Sequence, residues 1–405
     1  MKIGFIGNVN NYPFIIAQKL KAAGHEILFI VDEPASERLH RPENHVLNIS
    51  FPYPDWIKED LFPVNLFRAF FPSIFARSVI KKLNSCDGVI LNGLWHGIKL
   101  KLKKNIPSIA IFSGADLDVY ASQSQFGRFF LNHSKIKYLP SFVLKWLATR
   151  FVNNHRAGIS AACCFSYFPL GTIKEGDELI KEIFKGKEVV RFNHCHVNTE
   201  NIPYVVPPEN MPLKIINVAR FVWKQPLPPG YNQAEAKGND IMIHGLGIFL
   251  KNNKVKLDIH FIEKGIHVNE TKALIKEYGF DDMVTWHPEV PFSKFMSFLA
   301  SGDIIFEQLG EHVFTGGLYP MLIGRPVIAN GRPEIFDQFT GESSPLCQAN
   351  TAKEVNTWLE KLTADSEARK NIGLSSRQYV IKHFDINDEA LFFAEQLKRN
   401  IKTVF

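Results

Sequence analysis

Cysteine is scarce in this 405-residue chain. The five residues Cys86, Cys163, Cys164, Cys195 and Cys347 are odd in number and lack framework spacing. That excludes a disulfide scaffold and points to reduced thiols in a cytoplasm. No apolar run reaches the ~18 residues that a membrane-spanning helix needs. The opening MKIGFIGNV has no apolar core followed by a small-residue cleavage site, so no secretory leader is expected. Gly-x-Gly-x-x-Gly does not follow the first strand-like run, which argues against a nicotinamide dinucleotide site. A Walker loop, a Gly-x-Ser-x-Gly elbow and a His-Glu-x-x-His pair are also missing. There is no internal repeat and no low-complexity tract. Acidic residues are missing from Ser124–Arg156, which holds Arg128, Lys135, Lys137, Lys145, Arg150 and Arg156. These six cations equal the net charge of the whole protein, +6.

What is present is a globular pattern, with 45% hydrophobic residues and length enough for two domains, each with its own core. KIGFIG reads as a buried strand entering a Gly7-Asn8 turn. FIIAQKLKAAGHEILFIV then gives a helix, a stop at Gly24 and a second strand, a βαβ opening that implies a parallel sheet. CDGVILNG and IPSIAIFSGADL are further strands that end in glycine turns, the side of an open α/β sheet that faces ligand. NIPYVVPPENMPL, residues 201–213, holds four prolines and is expected to be a hinge. After it, KIINVAR, KLDIHFIEKG, DMVTWHP and DIIFEQ alternate with helical stretches, the pattern of a second doubly wound domain. The expected division is 1–205, then 206–382, then a last helix over 383–405 that crosses back, with an insert at about 124–156. Two such domains would face each other across a cleft.

Near the end of the second domain, EHVFTGGLYPMLIGRPVIANG (Glu311–Gly331) reads as loop, short helix and strand. Glu311 and Tyr319 are separated by seven residues, and the GRPVIA strand follows without a gap. Upstream come VAR, a Lys-Gly before a long helix, GFDDMVTWHPEV and ASGDIIF. This series resembles the retaining glycosyltransferases of family 4, most strongly from Lys214 to about Phe384. The resemblance implies the GT-B architecture, a nucleotide-diphosphate sugar donor on the second domain, an acceptor on the first, and neither metal nor cofactor. It implies that Glu311 lies against the donor sugar, where a fixed anion stabilises the positive ring of a glycosyl transition state. Arg220 and a lysine would neutralise the leaving diphosphate. Two lysines fit: Lys237, which precedes Gly238 and the long helix, and Lys224, which is nearer to Arg220. A 12-residue insert, KQPLPPGYNQAE, separates Lys237 from the strand-proximal Trp223, and Lys237 is preferred.

Thr315, Gly316 and Gly317, with His312, open the short helix, where bare backbone N–H groups and a helix N-terminus suit a phosphate. His287 completes the expected donor set. Tyr319 stands where the family has a second glutamate on the donor ribose, and Ser113 where it has a histidine on the donor sugar. Gly114 and Asp116 keep the family pattern, His96 is a candidate to replace the histidine, and Asn8 lies in the first loop on the acceptor side. His194-Cys195-His196 is too small a set for structural zinc. The expected enzyme is a glycosyltransferase that builds bacterial surface polysaccharide or lipopolysaccharide, with retention, from a saccharide or lipid-linked acceptor. A non-catalytic sugar or nucleotide-binding protein, a sugar-nucleotide epimerase and a transferase acting on a protein acceptor are the alternatives. No nucleic-acid partner is expected. The basic, aromatic segment 124–156 suits an anionic bilayer, hence peripheral attachment at the inner face of the cytoplasmic membrane.

Overall fold

The run KIGFI forms β1 (Lys2–Ile6), buried along four of its five residues. EILFIV forms β2 (Glu26–Val31), and β3 is Ile57–Glu59. GVILN forms the wholly buried β4 (Gly88–Asn92), followed by β5 (Ser108–Ile111), β6 (Cys164–Ser166) and β7 (Val190–Arg191). Their order is β3-β2-β1-β4-β5-β6-β7 and every pairing is parallel. Continuous apolar strands suit this sheet because helices cover both of its faces. This computed structural model describes every residue except 47–48, 132–138, 167–173, 184–189, 192–196, 229–234, 291, 312–315 and 403–405.

A second sheet is built from β8 (Leu213–Asn217), β9 (Leu257–Ile262), β10 (Val284–His287), β11 (Ile304–Phe306), β12 (Val327–Ala329) and β13 (Cys347–Gln348). Its order is β10-β9-β8-β11-β12-β13, again all parallel. Helix Asn239–Asn252 packs on helix Ala352–Ala364, and Gly245 permits the approach: a Cβ there would lie 2.4 Å from Val355 Cγ1. The second helix is started by a capping box between Thr351 and Glu354, a device worth ~1 kcal/mol.

The chain divides into two units, Met1–His196 with Ile386–Phe405, and Val197–Asp385. Helix Ile386–Lys402 belongs to the first unit. Ile386, Ala390, Phe393 and Leu397 fall at helical spacing and are at most 1% exposed, inside the same core as Phe5, Phe14 and Phe29. The proline-rich stretch 201–213 lies wholly in the second unit and is anchored to it. Buried Arg325 donates from Nη1 to the Val205 carbonyl (2.7 Å) and from Nη2 to that of Ala300 (2.6 Å). Arg377 Nη1 donates to the Ile202 carbonyl at 2.9 Å. Four prolines remove backbone donors, and these guanidinium groups take up the carbonyls that remain.

The segment 124–156 spans helices Gln123–Leu131 and Ser141–Ser160. Six of its described apolar residues are core: Phe126, Phe130, Leu144, Leu147, Phe151 and Val152 pack with Leu66 and Phe70. Phe142 and Trp146 do not, and are 74% and 53% exposed. Among the described residues no helix is long and apolar enough to cross a membrane.

Candidate functional site

In the second sheet the connections reverse direction between β8 and β11, so the mouth beyond the carboxyl ends of these two strands is where such a fold binds ligand. β8 ends at Asn217, whose amide closes a local turn by accepting from Ala219 N (3.2 Å) and donating to Ala219 O (2.8 Å). The next residue, Arg220, is exposed, with Nη2 3.3 Å from Glu235 Oε2. Fully buried Phe221 anchors the loop.

Lys237 enters the same mouth. Its N–H donates to Val222 O, and its carbonyl accepts from Leu309 N (2.8 Å) and Gly310 N (3.1 Å), so its backbone ties the β8 loop to the β11 loop. Gly238 must follow, because its φ is +63° and a Cβ would sit 2.7 Å from Gly310 N. Lys237 Nζ donates to Gln308 Oε1 at 2.8 Å. Burial pulls its pKa down to about 8, with Glu307 opposing and Arg220 adding to the fall.

Glu307 was missed by sequence reasoning. It follows the last residue of β11 and is 9% exposed. Burial pushes its carboxyl up to about 7, with the Lys237 charge opposing. Among the described residues its buried Oε2 has no hydrogen-bond partner. A Cβ on Gly316 would lie 3.3 Å from Glu307 Oε1, so the expected phosphate-binding glycine sits against a carboxyl. The same burial favours the neutral form of that carboxyl. FEQ at the end of an apolar strand was the available signal, since a carboxylate adjoining a buried strand end near a lysine is a candidate for a shifted pKa.

The other expected donor residues are distributed unevenly. Gly317 is buried and caps helix Leu318–Ile323. Tyr319, on that helix, is half-buried and meets Phe292 edge-on at 5.5 Å; burial pushes its phenol up to about 12. Its hydroxyl makes no hydrogen bond among the described residues. Glu311 projects into solvent, its side chain 73% exposed, with Arg332 Nη1 3.6 Å from Oε2. Arg332 also donates to the Glu311 carbonyl. Lys224 is exposed, and among the described residues only its backbone N–H is engaged, by His267 Nδ1. His287 lies at the end of edge strand β10, two strands from β8, and pairs with His260 (Nε2 to Nδ1, 2.6 Å). The structure therefore brings Arg220, Lys237 and Gly316 together, with Glu307 and Gln308, and leaves Lys224 and His287 apart. His312 and Thr315 lie outside the described residues, as do His194, Cys195 and His196. Among the described residues there is no cluster of three metal-ligating side chains.

The first sheet reverses between β1 and β4, and its expected residues meet at that edge. Gly7 has φ +81° and a Cβ there would be 2.1 Å from Asn92 O. Asp116 ties its own loop after β5 to the loop after β4: Oδ2 accepts from Gly93 N (2.7 Å), Oδ1 from Ser113 N (2.7 Å), and His96 Nε2 lies 3.3 Å from Oδ2. Burial works to raise the Asp116 pKa, but the His96 contact and the backbone donors outweigh it and hold it below the ordinary carboxylate value. Asp116 is 1% and His96 0% exposed. The expectation that both touch ligand is corrected: they are sealed within the fold and position the loops. Asn8 is likewise spent internally, on Asn11 Oδ1, His40 O and Phe14 N. Gly114, at φ +108°, keeps partial exposure in the same turn.

Beside this knot, past the end of β2, lies an open pocket of about 370 Å³ that sequence reasoning did not foresee. Glu33, Glu37, Asn65, Phe62 and Tyr120 line it. Under its floor Asp32 accepts from Trp95 Nε1 at 2.6 Å and from Asn65 Nδ2 at 3.3 Å.

No family model and no curated protein matches the sequence. The fold is nonetheless shared along the whole chain. A sucrose-phosphate synthase from Thermosynechococcus elongatus superposes with a TM-score of 0.62 at 14% identity, covering 100% of both chains. A glycosyltransferase from Rickettsia africae gives 0.61 at 16% identity, over 99% of this chain and 98% of that one. HepE of Anabaena, solved with UDP and glucose, gives 0.58 at 13% identity, over 98% and 99%. The architecture is therefore GT-B, an α/β class of two Rossmann-like domains.

Proposed function

We propose that this protein is a glycosyltransferase that takes a sugar from a nucleotide-diphosphate donor bound at the β8–β11 mouth of the second unit. The observation that carries this is the half-buried Lys237, held by its backbone between two strand-end loops and sharing its electrostatic field with Arg220. Two fixed cations at a switch point suit a diphosphate, whose leaving oxygen gains negative charge as the glycosidic bond breaks. HepE was solved with UDP and glucose, which supports this class of donor.

Glu311 then faces the sugar and Tyr319 the ribose, as the family resemblance implies, with retention of configuration and no metal. The acceptor enters from the first unit. The pocket beside Glu33 and Tyr120 fits a neutral polyhydroxylated acceptor, since carboxylates accept from hydroxyls and an aromatic face covers a sugar ring. Synthesis of surface polysaccharide or lipopolysaccharide is the setting that the resemblance favours.

Binding and turnover should be measured with a panel of nucleoside-diphosphate sugars. One should bind and be consumed when an acceptor mixture is present. Arg220→Ala and Lys237→Ala should each lower turnover by ~100-fold, the scale of one transition-state electrostatic contact. A wild-type protein that binds no sugar nucleotide removes the proposal.

A further inference from the structure

We propose a site for the phosphate headgroups of an anionic bilayer on the first unit, formed by Arg77, Lys81, Lys101 and Lys103. These four residues, with Ser73, Asn84 and Ser85, line an open pocket of about 710 Å³ that has no acidic residue in its wall. None of the four cations makes an ion pair among the described residues. The nearby acid Asp60 is already taken by Arg68, Lys82 and Ser78. Ser85 and Asn84 precede β4, and Lys103 precedes β5, so the pocket opens at the amino edge of the sheet, opposite the Asp116 knot.

Charge alone would suit any phosphate. The rim chooses the bilayer. Ile74, Phe75 and Leu100 are 58%, 42% and 42% exposed beside it. The aliphatic pair at this rim, Ile74 with Leu100, gives a nucleic-acid base no face to stack on. It does suit insertion among acyl chains beneath a headgroup.

The apolar rim also continues onto helix Ser141–Ser160. Phe75 lies 6.4 Å from Phe71, the Arg150 guanidinium lies over both Phe71 (5.6 Å) and Trp146 (5.4 Å), and exposed Phe142 is on the same helix. Phe71 and Arg150 thus link the rim residue Phe75 to the exposed Trp146 on the same unit. This site stands whether or not the donor site of the second unit is correctly assigned.

The test uses the full chain and vesicles of phosphatidylcholine, alone or mixed with phosphatidylglycerol. The protein should sediment with the mixed vesicles at low salt, and less as salt screens the attraction. Replacing Lys81, Lys101 and Lys103 together by Gln should weaken this binding by ~100-fold, about fivefold for each cation. Ile74→Ser with Leu100→Ser should also weaken vesicle binding, while leaving any inorganic pyrophosphate binding unchanged. All these positions are on the surface, and unchanged melting curves would confirm that the variants fold. Sugar-nucleotide binding should be unaffected, which separates this site from the donor site. The proposal is overturned if the protein ignores the mixed vesicles, if the triple variant binds them as wild type does, or if only pyrophosphate or RNA binds at the pocket.

Discussion

The lysine at the β8–β11 mouth predicts a particular pH dependence. Lys237 is held at about 8 because burial disfavours its charge. A bound diphosphate favours that charge and raises the pKa of the complex above that of the free protein. The sign follows from linkage. Below pH 8 the free lysine is already protonated and binding costs nothing extra. Above pH 8 a proton must be taken up on binding, and affinity falls by up to tenfold per pH unit until the pKa of the complex is reached. The dissociation constant of the bound sugar nucleotide should therefore rise about tenfold from pH 7 to pH 9, measured by calorimetry in buffers of differing ionisation heat. Proton uptake should appear as buffer-dependent enthalpy above pH 8. A sugar nucleotide is the right probe because its diphosphate has no terminal phosphate proton near neutrality. Lys237→Met should lose much of the affinity, and Lys237→Met with Glu307→Gln should remove the slope, since both groups titrate in the site. Glu307→Gln should move the slope to lower pH, because the lysine loses the carboxylate that supports its charge. A flat dissociation constant from pH 7 to pH 9, or a slope that survives in the Lys237→Met, Glu307→Gln double variant, would refute the argument.

Other outcomes can be checked on the same protein. Gly7→Ala places a Cβ 2.1 Å from Asn92 O at a positive φ, and should cost ~3 kcal/mol in urea unfolding or abolish folding. Asp116→Ala orphans the buried Gly93 N–H and the half-buried Ser113 N–H and should cost ~3 kcal/mol. Because its folded pKa is depressed, the stability Asp116 contributes is present above its unfolded value of 3.8 and is lost as pH falls through the lower folded value, so its contribution should fade only in strongly acid unfolding series. Tyr319→Phe should weaken sugar-nucleotide binding by ~1 kcal/mol if the hydroxyl meets the ribose; unchanged binding makes Tyr319 a packing residue against Phe292. Glu311→Ala should lower turnover by ~100-fold with little change in donor affinity, the mark of a group that acts on the transition state.

Much of the architecture was legible in the residue pattern. Apolar runs of strand length, closed by glycine turns and alternating with helices, can satisfy their backbone only in covered parallel sheets, so KIGFI, GVILN and KLDIHFI declare their place early. The register of Glu311 and Tyr319 against GRPVIA, and the Lys-Gly before a long helix, are local features and survive in one dimension. Burial, charge pairing and surface continuity are not local. His96 and Asp116 looked like ligand contacts because their turns were right, and only packing showed them sealed at 0% and 1% exposure. The proline-rich stretch looked like a hinge, and a guanidinium 120 residues away in sequence anchors it. Glu307 carried no motif at all. Its raised pKa exists because β8, β11 and the Lys237 loop enclose it, and a group's solvation is set by what the rest of the chain packs around it.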